Sequence, residues 1–162
     1  MPAVTLRTAT ADDVGTLLEL IRGLAIYEKK PDAVVATEAD LLKHGFGPVP
    51  RFEALLAFAD DEPAGFALFF PNFSTWTGRP GLYLEDIFVV EWARKLGVGR
   101  RLMARLAAIA IERDWGRFEF SVLHWNPARH FYHRLGMEHL EEWLPYRATP
   151  TALRRLAEED RA

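Results

Sequence analysis

Two acidic residues lie inside an otherwise apolar stretch, GLYLEDIFVV, at residues 81–90. A carboxylate among β-branched and aromatic residues is costly unless it is solvated, paired or used, so Glu85 and Asp86 are candidates for a charge or a proton acceptor. Successive strand residues point to opposite faces of a sheet, so we do not expect the two acids to form a dyad on one substrate. An ion pair with a neighbouring arginine is the structural alternative.

A basic, glycine-containing turn follows within a dozen residues, at the transition from a strand to a helix. Free backbone N–H groups and the positive helix end meet at such a transition, and glycines let a phosphate approach the backbone. A pyrophosphate would fit there, although the glycines could be simple turn residues. The candidate residues are Arg94, Lys95, Leu96, Gly97, Val98, Gly99 and Arg100.

Other phosphate motifs are absent from the sequence. Gly-Lys never occurs, which excludes the G-x-x-x-x-G-K-[ST] loop of nucleotide hydrolases, and no third glycine completes G-x-G-x-x-G. There is no G-x-S-x-G serine context. The 162 residues include no cysteine, which excludes disulfides, cysteine metal sites and a thiol nucleophile.

Composition narrows the partners. A net charge of -3 gives no reason to expect nucleic acid, and the local basic cluster suggests a small anionic ligand. No segment approaches the roughly 18 apolar residues of a membrane helix, so we expect a cytoplasmic protein that does not associate with membranes. His130 and His133 lie three apart without an evident third ligand, so we expect no metal.

Apolar periodicity and capping residues predict the elements that position these groups. The order is β α α β β β α β α β α, an α/β fold with a mixed central sheet and flanking helices, in one domain over residues 1–162. Thr10 with Asp13 and Thr37 with Asp40 predict capping boxes. Gly45 and Gly116 are predicted to end the second and third helices, and Asp60 to Gly65 to form a turn. RFEFSVLHW and EEWLPYR are predicted strands, and the fourth helix is predicted to run from its cap Asn126 to Gly136.

RKLGVG fits the R/Q-x-x-G-x-G/A signature, and the chain resembles the GCN5-related N-acetyltransferases, in which this loop holds the pyrophosphate of acetyl-coenzyme A. Further segments resemble the spermidine/spermine and thialysine N-acetyltransferase branch, in collinear order over nearly the whole chain. They are LRTATADD, LAIYE, TEADLL, GFG, NFSTWTGRPGLYLEDIFV, WN, FYHRLG and EEW.

The resemblance implies roles for both acids. About 1 in 10³ molecules of a lysine-like amine is neutral at pH 7, so a base near the acceptor matters. By resemblance, Glu85 removes the amine proton through water and Asp86 helps to hold the cationic acceptor. The backbone of Ile87, Phe88 and Val89 would lie along the pantetheine arm, and an N–H there could also stabilise the oxyanion.

The resemblance also assigns two residues of the fourth helix. Asn126 would contact the coenzyme, and Tyr132 would protonate the leaving thiolate. Without the resemblance, they are a cap and an ordinary core aromatic. The interval between them is six residues, where the branch has seven.

Five further residues match acceptor-side positions, where acids and aromatics bind an ammonium and its aliphatic stem. They are Tyr27, Glu28, Trp76, Glu142 and Trp143. Surface charge or core packing is the structural alternative for each. By resemblance, Ser74 occupies a position at which polyamine-specific members of the branch carry an acid. The missing carboxylate favours short lysine-like amines or diamines over spermidine and spermine as acceptors.

The sequence thus predicts direct acetyl transfer in a ternary complex, since no cysteine is available for an acyl intermediate. The resemblance implies a homodimer with acceptor sites near the interface, where Trp143 could act. Two alternatives stay open: a non-catalytic acyl-coenzyme A-binding regulatory module, and an acetyltransferase for protein N-termini or lysines.

Overall fold

A computed structural model describes residues 1–160. Its centre is a five-stranded sheet in the order β1-β2-β3-β4-β5, antiparallel except for the parallel pair β4–β5. The strands are β1 (Val4–Thr8), β2 (Glu53–Ala59), β3 (Glu62–Ser74), β4 (Arg79–Val89) and β5 (Phe118–Phe120). The predicted mixed α/β sheet is confirmed.

Residues 1–160 form five α-helices: α1 (Val14–Tyr27), α2 (Glu38–Phe46), α3 (Val98–Glu112), α4 (Ala128–Arg134) and α5 (Pro150–Glu159). One unit of the chain, residues 1–121, holds the sheet and α1 to α3. A second unit begins at Val122 and contains α4 and α5. The single domain over residues 1–162 therefore stays a prediction. No helix within residues 1–160 is both long and apolar enough to cross a membrane.

The core of the first unit forms where apolar stripes of α1 and α2 meet the sheet. It contains Leu17 and Leu41 of the helices and Leu56 and Phe66 of the strands. Helix α3 contacts β1 to β4 and buries its own stripe, including Leu102 and Leu106. These stripes bury the apolar faces of helices and sheet together.

Several local predictions are confirmed. The predicted turn from Asp60 to Gly65 is confirmed at Asp60 and Asp61, which join β2 to β3 with φ of 48° and 67°, whereas Glu62 to Gly65 already belong to β3. Positive φ at both positions is the geometry that continues the strand twist across a tight hairpin. The Thr37–Asp40 capping box starts α2, and the side-chain oxygen of Thr37 accepts a 3.2 Å hydrogen bond from the Asp40 N–H.

Other predictions are wrong. EEWLPYR is not a strand: residues 141–147 are exposed turn and irregular chain, and Pro145 cannot donate to a sheet ladder. Of RFEFSVLHW, only residues 118–120 pair. Gly45 is buried inside α2, which ends at Phe46, and a Cβ at Gly45 would lie 2.3 Å from the Phe52 ring. Helix α3 ends at Glu112, before Gly116.

Arg7 and Asp13 connect β1 to the start of α1 through two 2.7 Å hydrogen bonds. The guanidinium hydrogen bonds and the Thr10 N–H hold the pKa of Asp13 well below its usual range. A lowered pKa in the folded state stabilises the protein above the unfolded-state pKa of about 4, and the benefit declines as pH falls below it.

We therefore expect Asp13→Asn to lower the free energy of unfolding by about 1–3 kcal/mol at pH 7 and by less at pH 3. Urea denaturation at the two pH values measures this. Asp12→Asn, at an exposed neighbouring position, is the matched control. A loss for Asp13→Asn that is equal at both pH values would contradict the charge-based account.

Candidate active site

A β-bulge lies at the predicted catalytic acid. In the β3–β4 ladder, Asp86 pairs with Leu68, but the next pair is Leu84 with Phe69, so Glu85 is an extra residue without a partner. A bulge bends its strand and redirects its side chains. We expected the side chains of Glu85 and Asp86 to point to opposite faces of the sheet because strand residues alternate. The bulge interrupts this alternation, so it no longer supports that expectation.

Asp86 is half-buried, whereas Glu85 is exposed. The pKa of Asp86 is raised from 3.8 to about 6, mostly by burial and in smaller part by the negative charges of Glu85 and Glu28. Glu28, Glu85 and Asp86 therefore form one group of interacting carboxylates, called the acid cluster below. Within residues 1–160 no ion pair joins these carboxylates to a basic side chain, so the predicted alternative of an arginine partner is not found.

The acid cluster destabilises the folded protein, and this effect can be measured without any assumption about the reaction. A carboxyl whose pKa is raised destabilises the fold when it is ionised, and the cost grows as pH rises from about 4 to above 6. We expect Asp86→Asn to raise the free energy of unfolding by up to about 3 kcal/mol at pH 8 and by almost nothing at pH 4. Urea denaturation at both pH values measures it; destabilisation at pH 8 would contradict it.

The C-terminal end of α1 lies beside this part of β4. A Cβ at Gly23 would lie 2.8 Å from the Phe88 ring, so glycine allows the helix to approach the strand. Tyr27 ends the helix, and Glu28 follows it. The structure therefore brings the predicted acceptor-side residues Tyr27 and Glu28 to the same region as Asp86.

The glycine turn has the backbone geometry expected of an anion site. Gly97 has φ of 79° and precedes α3, and a Cβ there would meet nothing within 4 Å. Lys95 also has a positive φ, 77°. The first N–H groups of α3, at Val98, Gly99 and Arg100, have no partner within the helix. The turn thus presents N–H donors and the positive end of a 15-residue helix.

Strand β4 also has a free edge. Its pairing with β5 ends at Leu84–Phe120, and within residues 1–160 no other strand pairs with β4 on that side. Ile87, Phe88 and Val89 continue the strand beyond this point while β3 pairs with their other edge. An extended ligand could form backbone hydrogen bonds at such an edge.

Ser74 and the predicted acceptor residue Trp76 lie far from the acid cluster, toward the tip of the β3–β4 hairpin. Ser74 is buried, and its hydroxyl accepts a 3.2 Å hydrogen bond from the Thr77 N–H in the hairpin turn. Six residues of strand, about 20 Å, separate Ser74 from Leu68, the partner of Asp86. Trp76, at the exposed tip, is therefore not brought to the acid cluster of its own chain.

The remaining predicted residues belong to the second unit. The Asn126 side-chain oxygen accepts a 2.9 Å hydrogen bond from the N–H of Ala128, the first residue of α4, but the N-cap is Pro127, one residue later than predicted. Tyr132 is buried, with its ring 5.4 Å from that of Phe131. Glu142 and Trp143 are exposed. Their place in the same site as Asp86 stays a prediction.

Sequence reasoning missed the bulge at Glu85 and the contact of Gly23 with Phe88. An isolated glycine inside a helical pattern signals a close approach, so Gly23 could have been noticed. A bulge leaves no comparable mark. Within residues 1–160 no group of three or more His, Cys, Asp or Glu residues could hold a metal ion.

Comparison with known proteins places the chain in a family. Residues 20–137 match the sequence model of the Acetyltransferase (GNAT) family. The chain is 38% identical to a thialysine N-epsilon-acetyltransferase of Sus scrofa, over 97% of this chain and 99% of that protein. It is also 38% identical to the spermidine/spermine N(1)-acetyltransferase-like protein 1 of Homo sapiens, over 76% of this chain and 19% of that protein.

A solved structure agrees with these matches. An integron cassette protein from the mobile metagenome of V. cholerae superimposes with a TM-score of 0.81 and 28% identity, covering 96% of this chain and 98% of that one. With its mixed sheet, its glycine turn before α3 and these relatives, the chain belongs to the GNAT acetyltransferase family and is an N-acetyltransferase.

Proposed function

We propose that the protein transfers acetyl from acetyl-coenzyme A to the primary amine of a small cationic acceptor, by direct attack in a ternary complex. The acid cluster is the observation that carries the acceptor class. Three carboxylates, of which Glu28 and Asp86 are half-buried, share a region of α1 and β4 without an ion-pair partner among residues 1–160. A cationic amine would relieve their repulsion and the cost of burying Asp86.

The glycine turn and the edge of β4 fit acetyl-coenzyme A. The N–H groups at the start of α3 suit a pyrophosphate, and the unobstructed space at Gly97 lets an anion approach the backbone. The free edge at Ile87, Phe88 and Val89 suits an extended pantetheine arm. When bound, the coenzyme supplies an activated acetyl thioester. Asn126 is proposed to contact the coenzyme, and Tyr132 to act on its thioester sulfur.

The protein's own groups then have separate tasks. Glu85, exposed at the bulge, takes the proton of the amine, and Asp86 with Glu28 holds the positive charge of the acceptor. Backbone N–H groups along β4 stabilise negative charge that develops on the carbonyl oxygen. Tyr132 returns a proton to the leaving sulfur.

The acceptor is proposed to be a short lysine-like amine or diamine ahead of spermidine and spermine. The thialysine relative matches over nearly its full length, which supports this order. Identity does not separate the two classes, because both relatives are 38% identical to this chain. Ser74 is the sequence feature behind the order, and its role in the hairpin turn is a structural reason for serine at that position.

A homodimer in the cytoplasm completes the proposal. Trp76 lies too far along β3–β4 to serve the acid cluster of its own chain, so a second copy would have to supply it. Exposed Glu142 and Trp143 are further candidates for such a contribution. Sedimentation analysis tests this: a strictly monomeric active enzyme would exclude a role for Trp76 in the acceptor site.

Release of free coenzyme A from acetyl-coenzyme A tests the whole proposal. The acceptor panel contains thialysine, lysine, short diamines, spermidine, spermine and lysine peptides. We expect release to depend on the amine and to be fastest with the short lysine-like compounds. Spermine as much the best acceptor would reverse the order, and activity on peptides alone would establish a protein acetyltransferase instead.

A further inference from the structure

Arg94, the first residue of the glycine turn motif, makes two contacts away from the helix start. Its guanidinium carbon lies 4.9 Å from the centroid of the Tyr27 ring, a cation–π distance. Its Nε donates a 3.3 Å hydrogen bond to the carbonyl oxygen of Val89. One side chain therefore connects the last residue of α1 with the last residue of β4.

A second contact holds the same helix end. Gly23 lies one turn before Tyr27, and its missing Cβ is what lets the Phe88 ring pack against the helix. Phe88 directly precedes Val89. The final turn of α1 is thus attached to the final two residues of β4 at two points.

This attachment opposes a repulsion. Glu28 follows the C-terminal end of α1, where the helix dipole is unfavourable for a carboxylate. It also adds to the negative potential at Asp86 together with Glu85. Without a link between α1 and β4, these charges would favour a larger separation of the two elements, and Glu28 would leave the acid cluster.

We propose that Arg94 is a positioning residue for the amine acceptor: by tying Tyr27 to Val89, it keeps Glu28 next to Asp86. The role differs from the phosphate contact that the sequence motif suggests for Arg94. It rests on the proposed function in one respect, namely that the acid cluster binds the amine.

A double-mutant cycle tests the connection of Tyr27 to Val89 through Arg94, called the tie below. Arg94→Lys keeps the positive charge but loses the planar guanidinium and its Nε donor, and Tyr27→Leu removes the ring. We expect each to raise the KM for the amine roughly three- to tenfold with the KM for acetyl-coenzyme A within about twofold of wild type. The double variant should be no worse than the poorer single variant, because both changes remove one interaction.

A control on the surface of α3 separates the tie from other effects. Arg105→Lys changes an arginine whose side chain pairs with Glu112 on the surface of α3, and should change neither KM. Independent losses that multiply in the double variant, or a change confined to the KM for acetyl-coenzyme A, would overturn the proposal.

A measurement without substrate keeps this test separate from the proposed function. The urea midpoints of wild type, Arg94→Lys, Tyr27→Leu and the double variant should also be non-additive, since the tie is a contact of the folded chain. If no amine were acetylated but the midpoints were non-additive, the acceptor assignment would fail and the tie would stand. Additive midpoints would overturn the tie whatever the enzyme acetylates.

Discussion

Glu85→Gln is expected to lower kcat about 10²- to 10³-fold at pH 7, with the best amine of the acceptor panel as substrate. The amide keeps the size of the side chain but cannot accept the amine proton. Because Glu85 is exposed at the bulge, its replacement should leave the fold and the KM for acetyl-coenzyme A close to wild type.

The pH dependence makes this loss specific to proton removal. A lysine-like amine has a pKa of about 10.4, so the neutral fraction rises about tenfold for each pH unit below that value. The deficit of the variant should therefore narrow as pH rises from 6 to 9, since more of the acceptor arrives already deprotonated. Steady-state kcat measured at each pH gives the profile.

Two comparisons identify the base. Asp86→Asn should act mainly on the KM for the amine, because Asp86 holds charge, whereas Glu85→Gln should act mainly on kcat. Glu91→Gln changes another exposed acid of the same segment and should leave kcat and the KM for the amine unchanged. Wild-type turnover of Glu85→Gln throughout pH 6 to 9 would exclude Glu85 as the general base.

Local signals predicted much of the fold. The capping box at Thr37 and the turn at Asp60 and Asp61 depend on residues close in sequence, and their side-chain chemistry is independent of the rest of the chain. Alternation was a weaker guide. EEWLPYR has apolar residues but is exposed, and within residues 1–160 no strand of the sheet pairs with it.

The candidate site was predicted as a set of residues and not as an arrangement. The turn around Gly97 was recognised because its backbone conformation requires glycine. The acids on β4 were recognised because a charged residue is unusual in an apolar strand. A single unpaired residue in a strand ladder requires no particular residue type, so the bulge at Glu85 was not predicted from the sequence. The direction of Arg94 toward Tyr27 depends on α1, about 70 residues earlier in the sequence, and on no local pattern.

Tyr132→Phe is expected to lower kcat roughly 10- to 100-fold, with the KM for acetyl-coenzyme A within about twofold of wild type. The hydroxyl is the group that would protonate the leaving sulfur, and the retained ring preserves the packing against Phe131. We expect a smaller loss than for Glu85→Gln, because a thiol of pKa about 8.5 leaves readily as a thiolate and needs less help from an acid.

The control for this variant is Tyr146→Phe, which removes a hydroxyl from an exposed tyrosine of the same unit and should not change kcat. Stability is followed by thermal unfolding, so that a loss of the folded enzyme is not counted as a loss of chemistry. Equal activity of Tyr132→Phe and wild type would remove Tyr132 from the mechanism. A loss in kcat alone would support Tyr132 as the acid that protonates the leaving thiolate.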